Sequence, residues 1–450
     1  MNNINLIKNN MIGKKISILG TGISGQGAAN LAHHLGATVL LSDNTKINNL
    51  NLISDKIQIE SQHTKKCLDS DLIIISPGIN PNTSDIVKKI VSKKIPIVSE
   101  IEFGSWATKG QIIAVTGSNG KSTVVELVNL IFNKKYNNVM LGGNIGISFC
   151  MNIYKELKND IKPIHILELS SFQLQNIHTF KPKLSCILNI TRDHIKRHGN
   201  FENYCIDKLK IVKNSDKNSY IVFNQDDAIL NKFFNQNREA IPFSIKNISN
   251  NLYTKSNKIY CSKSNKQIIN QKNTNIPGLH NLSNMMAAIQ IAKLYKINNK
   301  LIKSAVEEFK PLRHRMEILN INSNITFIND SKGTNLVSTL AAVESIDNKT
   351  LLILGGYSDE NINIDTIKKI SSKDYIYKIV CYGKIGETVS KEIEKSNYKK
   401  IFSDAVLYAI KSAIPNSTLL LSPGFKSFDQ FSSFEERGNT FKNIVFEHFA

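Results

Sequence analysis

One segment of the chain constrains the fold more tightly than any other. Residues 116–123 read Thr-Gly-Ser-Asn-Gly-Lys-Ser-Thr, directly after the apolar run 111–115 and directly before an apolar stretch that begins at Val124. This order predicts a buried strand, a glycine-rich loop and a helix. The backbone N–H groups of such a loop, together with the positive end of the helix, can hold a polyphosphate. The first glycine of the usual motif falls on Val115, so the loop is a shortened variant.

Two side chains of this loop indicate its chemistry. Lys121 is placed to reach the β- and γ-phosphates of a nucleotide, and the Ser122 hydroxyl is placed to ligate Mg²⁺. The segment therefore predicts a protein that hydrolyses ATP or transfers its phosphate. Glu168 follows another apolar run, and a carboxylate at a strand end near such a loop is an expected second ligand of Mg²⁺. The alternative for Glu168 is a solvated loop acid.

Short apolar runs alternate with helical stretches along the chain, which predicts an α/β protein. The 450 residues are too many for one core, and the runs fall into three successive groups. We therefore expect three doubly wound domains: a Rossmann-like domain over 1–102, a central P-loop ATPase domain over 103–311 and a second Rossmann-like domain over 312–450. The predicted strands are 15–19, 38–42, 71–75, 95–98, 111–115, 165–168, 184–188, 220–223, 326–328, 350–354, 378–382 and 418–421. Surface hairpins or loops are expected over 245–275.

Charge and cysteine content exclude several classes of protein. The formal net charge of +20 suggests a nucleic-acid partner. However, the basic residues are spread in pairs over the whole length, and no basic stretch interleaved with aromatic residues is present, so we expect no nucleic-acid binding. The six cysteines lack metal-ligand spacing and indicate reduced thiols. No apolar run approaches the about 18–20 residues of a membrane span, and the start has no signal-peptide core. We expect a cytoplasmic monomer without membrane contact.

Other candidate ligand sites follow the predicted strands. Gly20-Thr-Gly22-Ile-Ser-Gly25, with Asp43 after the next strand, fits a dinucleotide site, although glycines needed only for a tight turn give the same pattern. The Ser-Pro-Gly turn at 76–78 is open to the same two interpretations. His194 fits a metal ligand, a substrate contact or a structural residue. By spacing alone, Lys208 reads as a solvated helix residue.

Polar segments near the predicted third domain leave similar alternatives. Asn281 and Asn284 share one helix face, where they could hold a base or phosphate or cap the helix. The run 313–315, Arg-His-Arg, could place a cation on a transferring phosphoryl group. The segment 330–335, Asp-Ser-Lys-Gly-Thr-Asn, combines an acid, a base and hydroxyls, and spacing alone gives it no mechanism.

Taken together, these segments resemble the Mur ligases of peptidoglycan synthesis, from about Lys14 to Gly438. The shared motifs lie at 116–123, 142–146, 168–174, 193–194, 280–284, 330–335, 421–423, 427–431 and 434–438. The segment 330–335 is the most discriminating, because it separates the glutamate-adding members from their relatives. The resemblance implies an ATP-dependent ligase that joins UDP-N-acetylmuramoyl-L-alanine to D-glutamate through an acyl phosphate.

The resemblance also implies a role for individual residues. The UDP-linked substrate contacts Ile23, Ser24, Asp43, Ser76, Pro77, Gly78 and Asn144. ATP contacts Gly117, Ser118, Asn119, Gly120, Lys121, Ser122, Thr123, Asn284, Arg315 and Asp330. Two Mg²⁺ ions are held by Ser122, Glu168, His194 and Lys208, the lysine being carbamylated in the family. The glutamate pocket is lined by Lys332, Thr334, Ser427, Phe428 and Phe434. The catalytic set is Lys121, His194, Lys208, Arg315 and Lys332.

Two departures from the family pattern concern the glutamate pocket. The family commonly has a lysine just after Gly355-Gly356, where this chain reads Tyr-Ser-Asp-Glu, and it has small residues where this chain has 424–426, Gly-Phe-Lys. We expect Lys426 to hold a glutamate carboxylate instead, the alternative being a solvated loop lysine. Another Mur-type or folylpolyglutamate-synthase-like ligase stays open, as does a non-catalytic basic nucleotide-binding protein.

Overall fold

The computed structural model describes residues 10–44, 50–237, 239–247, 252–358 and 362–449. The strands are β1 Lys15–Leu19, β2 Thr38–Asp43, β3 Gln58–Ser61, β4 Leu72–Ile75, β5 Ile97–Ser99, β6 Gln111–Thr116, β7 Val139–Gly143, β8 Ile164–Glu168, β9 Leu184–Ile187, β10 Tyr220–Asn224, β11 Ala240–Phe243, β12 Leu252–Lys255, β13 Lys258–Cys261, β14 Lys266–Asn270, β15 Glu317–Ile318, β16 Thr326–Asn329, β17 Thr350–Gly355, β18 Ile376–Tyr382, β19 Ser396–Lys399 and β20 Thr418–Gly424. The helices are α1 Ile23–His34, α2 Asp85–Ser92, α3 Glu100–Ala107, α4 Lys121–Asn133, α5 Phe149–Lys158, α6 Ser171–Leu174, α7 Ile195–His198, α8 Phe201–Leu209, α9 Ala228–Phe234, α10 Leu279–Leu294, α11 Asn299–Glu308, α12 Leu336–Val343, α13 Ile364–Ser371, α14 Gly383–Ser390, α15 Phe402–Ser412 and α16 Phe434–Phe449.

The described residues form two compact units, one from Met1–Ile269 with Ser283–Val306 and the other from Asn270–Leu282 with Glu307–Ala450. Mixed α/β structure with parallel sheets confirms the predicted fold class. The first two sheets share one unit, and the domain boundaries predicted at 102 and 311 stay predictions. Within the part of the chain that the structure describes, no helix is both long and apolar enough to cross a membrane.

The first unit contains two parallel sheets. One has the strand order β3-β2-β1-β4-β5 and the other β11-β10-β9-β6-β8-β7. Inner strands such as β1 and β6 are buried at every residue after the first, as expected of parallel strands that are covered on both faces. The region predicted to hold hairpins or loops contains a third sheet, β12-β13-β14. The strand β6 lies inside its sheet. Because the glycine loop directly follows β6, the loop lies at the carboxyl edge of that sheet.

Close helix packing joins the first two sheets of this unit. A side-chain Cβ on Gly27, in α1, would lie 1.9 Å from the Ser148 Oγ that precedes α5, so only glycine fits there. One apolar cluster includes Leu31 of α1, Phe103 of α3 and Phe149 of α5. Helices α1, α3 and α5 therefore contribute to one apolar core.

The second unit is built on one sheet with the order β15-β16-β20-β17-β18-β19, in which only the β15–β16 pair is antiparallel. Successive residues of its inner strands enter different apolar clusters. Leu352 and Leu354 of β17 pack in one cluster, whereas Leu351 and Ile353 pack in the other. This alternation follows from the two-residue period of a strand, and it confirms a sheet with a core on both faces.

Candidate active site

The glycine loop joins β6 to α4 as predicted. Gly120 has a φ of +85° and is the N-cap of α4, and a Cβ on it would lie 2.4 Å from the Asn284 Oδ1. A left-handed backbone and the adjacent amide both require glycine at this position. The Lys121 Nζ donates to the carbonyls of Gly117 and Ser118, at 2.8 Å each. The structure thus brings Asn284 and Lys121, both predicted to contact ATP, to the same loop.

The 189–191 segment is hydrogen-bonded to the glycine loop. The Ser118 Oγ donates to the Thr191 carbonyl at 3.0 Å and lies 2.7 Å from the Tyr204 hydroxyl. The Asn119 N–H donates to the Asn189 Oδ1 at 2.8 Å. The Ser118 backbone N–H also donates to the Asn189 carbonyl, at 2.9 Å. Both the side chain and the N–H group of Ser118 are therefore engaged inside the protein, and they fix the shape of the loop.

Glu168 is buried at the end of β8, next to the strand that leads into the loop. Its Oε1 accepts from the Asn144 Nδ2 at 2.8 Å, and its backbone carbonyl accepts from the Asn144 N–H at 2.8 Å. The Glu168 Oε2 is buried without a hydrogen-bond partner. A buried carboxylate oxygen that lacks a donor is a fitting ligand for a hard divalent cation. Asn144, predicted to contact the UDP-linked substrate, therefore lies beside this carboxylate.

Lys208 is the site residue whose environment differs most from expectation by spacing alone. Its side chain is only 2% exposed, and its Nζ donates to the Gly117 carbonyl at 2.8 Å. Burial lowers the pKa of Lys208 well below its usual value, and the positive charge of Lys121 lowers it further. The negative charges of Asp193 and Glu168 raise this pKa, but they do not offset the lowering. The interpretation as a solvated helix residue is wrong, because α8 directs this amine into the protein beneath the glycine loop.

His194 precedes α7 with a left-handed backbone, at a φ of +54°. Its ring centroid lies 4.9 Å from that of Phe172, and its Nε2 lies 3.7 Å from an Asp193 carboxylate oxygen. Among the described residues, no group of three or more His, Cys, Asp or Glu side chains could hold a metal. A divalent cation here would therefore also need other oxygen donors, such as the Ser122 hydroxyl.

The glycines of the 20–25 segment have a packing reason. A Cβ on Gly25 would lie 1.8 Å from the Gly20 carbonyl oxygen, so the turn closes only around glycine. The Asp43 Oδ2 accepts from the N–H and the hydroxyl of Thr21, at 2.7 and 2.8 Å. The side chain of Ile23 is exposed at the start of α1. A ligand role for this turn stays a prediction.

Arg197 connects the 76–78 turn to the glycine-loop side of the unit, and the sequence reasoning missed it. One of its guanidinium nitrogens donates to the Pro77 and Ile79 carbonyls, at 3.1 and 2.5 Å. Its Cζ lies 4.6 Å from the centroid of the Phe172 ring. Burial lowers the pKa of Arg197 to about 10. One feature of the sequence indicated that Arg197 lies near the site, namely its position three residues after His194.

The second unit collects the residues predicted to bind the amino acid. The Lys332 Nζ lies 5.3 Å from the centroid of the Phe434 ring. Asp330 is buried, and its carboxylate accepts from the Ser422 hydroxyl at 2.7 Å and the Met316 N–H at 3.2 Å. Burial raises the pKa of Asp330 to about 6. These contacts hold the 330–335 segment against the end of β20.

A buried arginine supports this segment, and the sequence reasoning gave it no role. The Arg437 guanidinium donates to the carbonyl of Ser331 at 2.8 Å, to the hydroxyl of Tyr382 at 3.0 Å and to the carbonyl of Phe425 at 3.1 Å. It fixes the backbone between Asp330 and Lys332. The hydrogen bonds of this fully buried guanidinium are made to uncharged groups, and they fix its position in the unit.

Lys426, predicted to hold a glutamate carboxylate, lies beside Tyr357 of the other altered segment. Its backbone pairs with that of Tyr357 through two hydrogen bonds, at 2.8 and 3.0 Å. The Lys384 Nζ lies 5.9 Å from the centroid of the Tyr357 ring. Ser427 is buried, whereas Phe428 is exposed. Asp359 and Glu360, part of the altered segment, lie outside the described residues.

Comparisons with known proteins agree with this geometry. Residues 115–292 match the Mur ligase middle domain, and residues 15–85 match the MurD N-terminal domain. The chain belongs to the Mur ligase family.

Two relatives over the full length are both named UDP-N-acetylmuramoylalanine–D-glutamate ligase. The chain is 36% identical to the one from Christiangramia forsetii, over 96% of this chain and 99% of the relative. It is 38% identical to the one from Buchnera aphidicola subsp. Schizaphis graminum, over 96% and 98%. The solved structure of a type C pseudomurein peptide ligase from Methanothermus fervidus shows the same fold. It superposes with a TM-score of 0.64 at 18% identity, over 97% of this chain and 100% of the other.

Proposed function

We propose that the chain is an ADP-forming ligase that joins UDP-N-acetylmuramoyl-L-alanine to D-glutamate in peptidoglycan precursor synthesis. Relatives named for this reaction cover nearly the whole chain at 36–38% identity. The observation that carries the proposal is the buried Lys208 amine, which donates to the Gly117 carbonyl of the glycine loop. Burial lowers the pKa of this amine well below its usual value. A nucleotide-binding protein without catalysis would gain nothing from that costly arrangement.

The chemistry follows from the weakness of a carboxylate as an acylating agent. ATP first phosphorylates the terminal alanyl carboxylate, and the amine of glutamate then attacks the acyl phosphate and displaces phosphate. Lys121 now bonds to loop carbonyls and would turn to the transferring phosphoryl group, where a cation stabilises developing charge. We propose Arg315 for a similar role.

We propose that two Mg²⁺ ions bind in the first unit. The unpartnered Glu168 Oε2 is a suitable oxygen ligand, and we propose Ser122, His194 and a carbamylated Lys208 as the others. Carbamylation requires an uncharged amine, and the lowered pKa of Lys208 favours that form. When bound, the ions offset negative charge on the phosphates and on the attacking carboxylate.

We propose that glutamate binds in the second unit. Lys332, Thr334, Ser427, Phe428 and Phe434 would line its pocket, and Lys426 would hold one of its carboxylates in place of the family lysine. Lys332 is next to Phe434, which supports a shared pocket. The segments 357–360 and 424–426 depart from the family pattern at this pocket. The identity of the amino acid that it binds therefore has to be tested.

We propose that the UDP-linked substrate is recognised by the first unit, at the 20–25 and 76–78 turns and Asp43. Asn144, which bonds to Glu168, would connect this substrate with the metal site. We also propose a cytoplasmic monomer with the three domains predicted from the sequence. ATP and these two substrates would be its only partners, with no nucleic acid and no membrane.

The decisive experiment measures phosphate release from ATP with UDP-N-acetylmuramoyl-L-alanine and, in turn, D-glutamate, L-glutamate, L-alanine or no amino acid. Release that depends on D-glutamate is expected. Release with another amino acid would move the assignment within the family, and no release at all would refute a ligase. Lys208→Met should lower the rate at least about 100-fold. The exposed Lys213→Met is the matched control and should keep the wild-type rate.

A further inference from the structure

A buried histidine that no part of the proposed mechanism uses lies between the three proposed metal-binding segments. The His198 Nδ1 lies 2.8 Å from the Asp207 Oδ2, and its Nε2 lies 3.0 Å from the Ser171 Oγ. All three side chains are buried, so Ser171 cannot act as an accessible nucleophile. Because a carboxylate only accepts, Nδ1 donates to Asp207 and Nε2 faces the serine hydroxyl. We call Ser171, His198 and Asp207 the His198 network.

Each member of the His198 network is close in sequence to one proposed metal ligand. Ser171 follows Glu168 by three residues and begins α6. His198 ends α7, and His194 is the N-cap of that helix. Asp207 directly precedes Lys208 in α8. One imidazole ring therefore ties together the segments that carry the carboxylate, the imidazole and the lysine of the proposed site.

Aromatic packing extends the network to the glycine loop. The His198 ring stacks on Phe172, with centroids 5.5 Å apart, and meets Tyr204 edge-on at 5.2 Å. The Tyr204 hydroxyl lies 2.7 Å from the Ser118 Oγ in the loop. The Lys210 Nζ donates to the other carboxylate oxygen of Asp207 at 2.6 Å, and the Gln175 Nε2 donates to the same oxygen as His198 at 3.1 Å. The Gln175 Nε2 also lies 3.4 Å from the His198 Nδ1. The ring is thus in contact with polar groups at both nitrogens and with two aromatic rings, and it has little freedom to move.

We propose that His198 is a positioning residue of the ligase, which through Ser171 and Asp207 fixes the relative placement of Glu168, His194 and Lys208 for Mg²⁺ and nucleotide. The inference deepens the proposed function and rests on it for the roles of those three residues. Groups that orient metal ligands affect metal affinity or activity by about 10- to 100-fold when they are replaced.

The test measures the affinity for ADP with Mg²⁺ by titration calorimetry, without turnover. His198→Phe keeps the aromatic packing and removes the hydrogen bonds to Asp207 and Ser171, so the dissociation constant should rise at least about tenfold. His198→Asn keeps a donor near the position of Nδ1, and the affinity should be partly restored. Ser171→Ala, a milder change, should weaken binding in the same direction. The Michaelis constant for glutamate should stay within about twofold.

The matched control is His165, a second buried histidine of the same unit. Its Nε2 lies 2.7 Å from the Glu156 carboxylate, and its ring meets Phe149 edge-on. His165→Phe should lower the melting temperature but leave the ADP affinity at the wild-type value. If His198→Phe and Ser171→Ala do the same, His198 is only structural and the inference fails. If the wild type releases no phosphate, the proposed function fails, while the affinity comparison still decides on the network.

Discussion

The buried carboxylate of Glu102, in α3, gives a quantitative test of what holds the first unit together. Its two oxygens accept five hydrogen bonds, from Trp106, His178, Thr179 and Phe180, at 2.7–2.8 Å. Burial alone would raise the pKa of Glu102, but these hydrogen bonds outweigh it and lower the pKa below its usual value. The carboxylate thereby ties α3 to the 178–180 segment.

The cost of Glu102→Gln can be worked out from these contacts. Oε1 accepts from the Trp106 indole and from the N–H and hydroxyl of Thr179, whereas Oε2 accepts from the N–H groups of His178 and Phe180. The glutamine oxygen will keep the side with three donors, so its NH₂ group faces two backbone N–H groups. Each buried donor without an acceptor costs about 1–3 kcal/mol, so we expect a loss of about 4 kcal/mol.

The assay uses the single tryptophan of the chain, Trp106, whose indole donates to this carboxylate. Urea unfolding followed by its fluorescence should have a midpoint about 1.5 M lower in the variant, for a slope of about 2–3 kcal/mol per M. Because the folded pKa is lowered, the contribution of Glu102 is present above about pH 4.5 and is lost as the pH falls through the folded pKa, so the two proteins should converge in acid. A loss below about 0.5 kcal/mol at pH 7, the value expected for the exposed control Glu239→Gln, would refute the reasoning.

Three further predictions test other parts of the structure. Gly27→Ala should lower the free energy of unfolding by about 1–3 kcal/mol, because its Cβ collides with Ser148, whereas Gly22→Ala, in open space, should be nearly neutral in urea unfolding. Burial raises the pKa of Asp330, so its contribution to stability is present below about pH 4 and lost as the pH rises through about 6; the difference from Asp330→Asn should fall over that range in pH-dependent unfolding. Lys426→Ala should raise the Michaelis constant for glutamate at least about tenfold in steady-state assays and leave that for ATP nearly unchanged.

Each of these three has a result that contradicts it. Equal stability of the two glycine variants would mean that the α1–α5 contact adjusts without cost. A pH-independent difference for Asp330→Asn would mean that the carboxyl titrates alike in the folded and unfolded chain. An unchanged Michaelis constant for glutamate would leave Lys426 a solvated loop residue.

The strands show how far the sequence predicts this fold. All twelve predicted strands are present, with ends shifted by at most a few residues, because inner strands of parallel sheets are continuous apolar runs. The strands missed from the three large sheets, β3, β7, β11, β15 and β19, are all edge strands. An edge strand has one neighbour and tolerates polar residues, glycine or proline, so its sequence pattern is weaker. The missed β11 even contains Pro242, which an edge tolerates.

For the candidate site, the sequence by itself determined the glycine loop, the order of the elements and the polar residues that follow the strands. It did so because hydrophobic period and loop chemistry are local properties of the chain. Only the tertiary structure decided which polar side chains are buried together. The burial of Lys208, the span of Arg197 to the 76–78 turn and the placement of His198 between Ser171 and Asp207 depend on segments that are distant in sequence. No local sequence pattern predicts these contacts, because they form only when distant segments of the chain pack together.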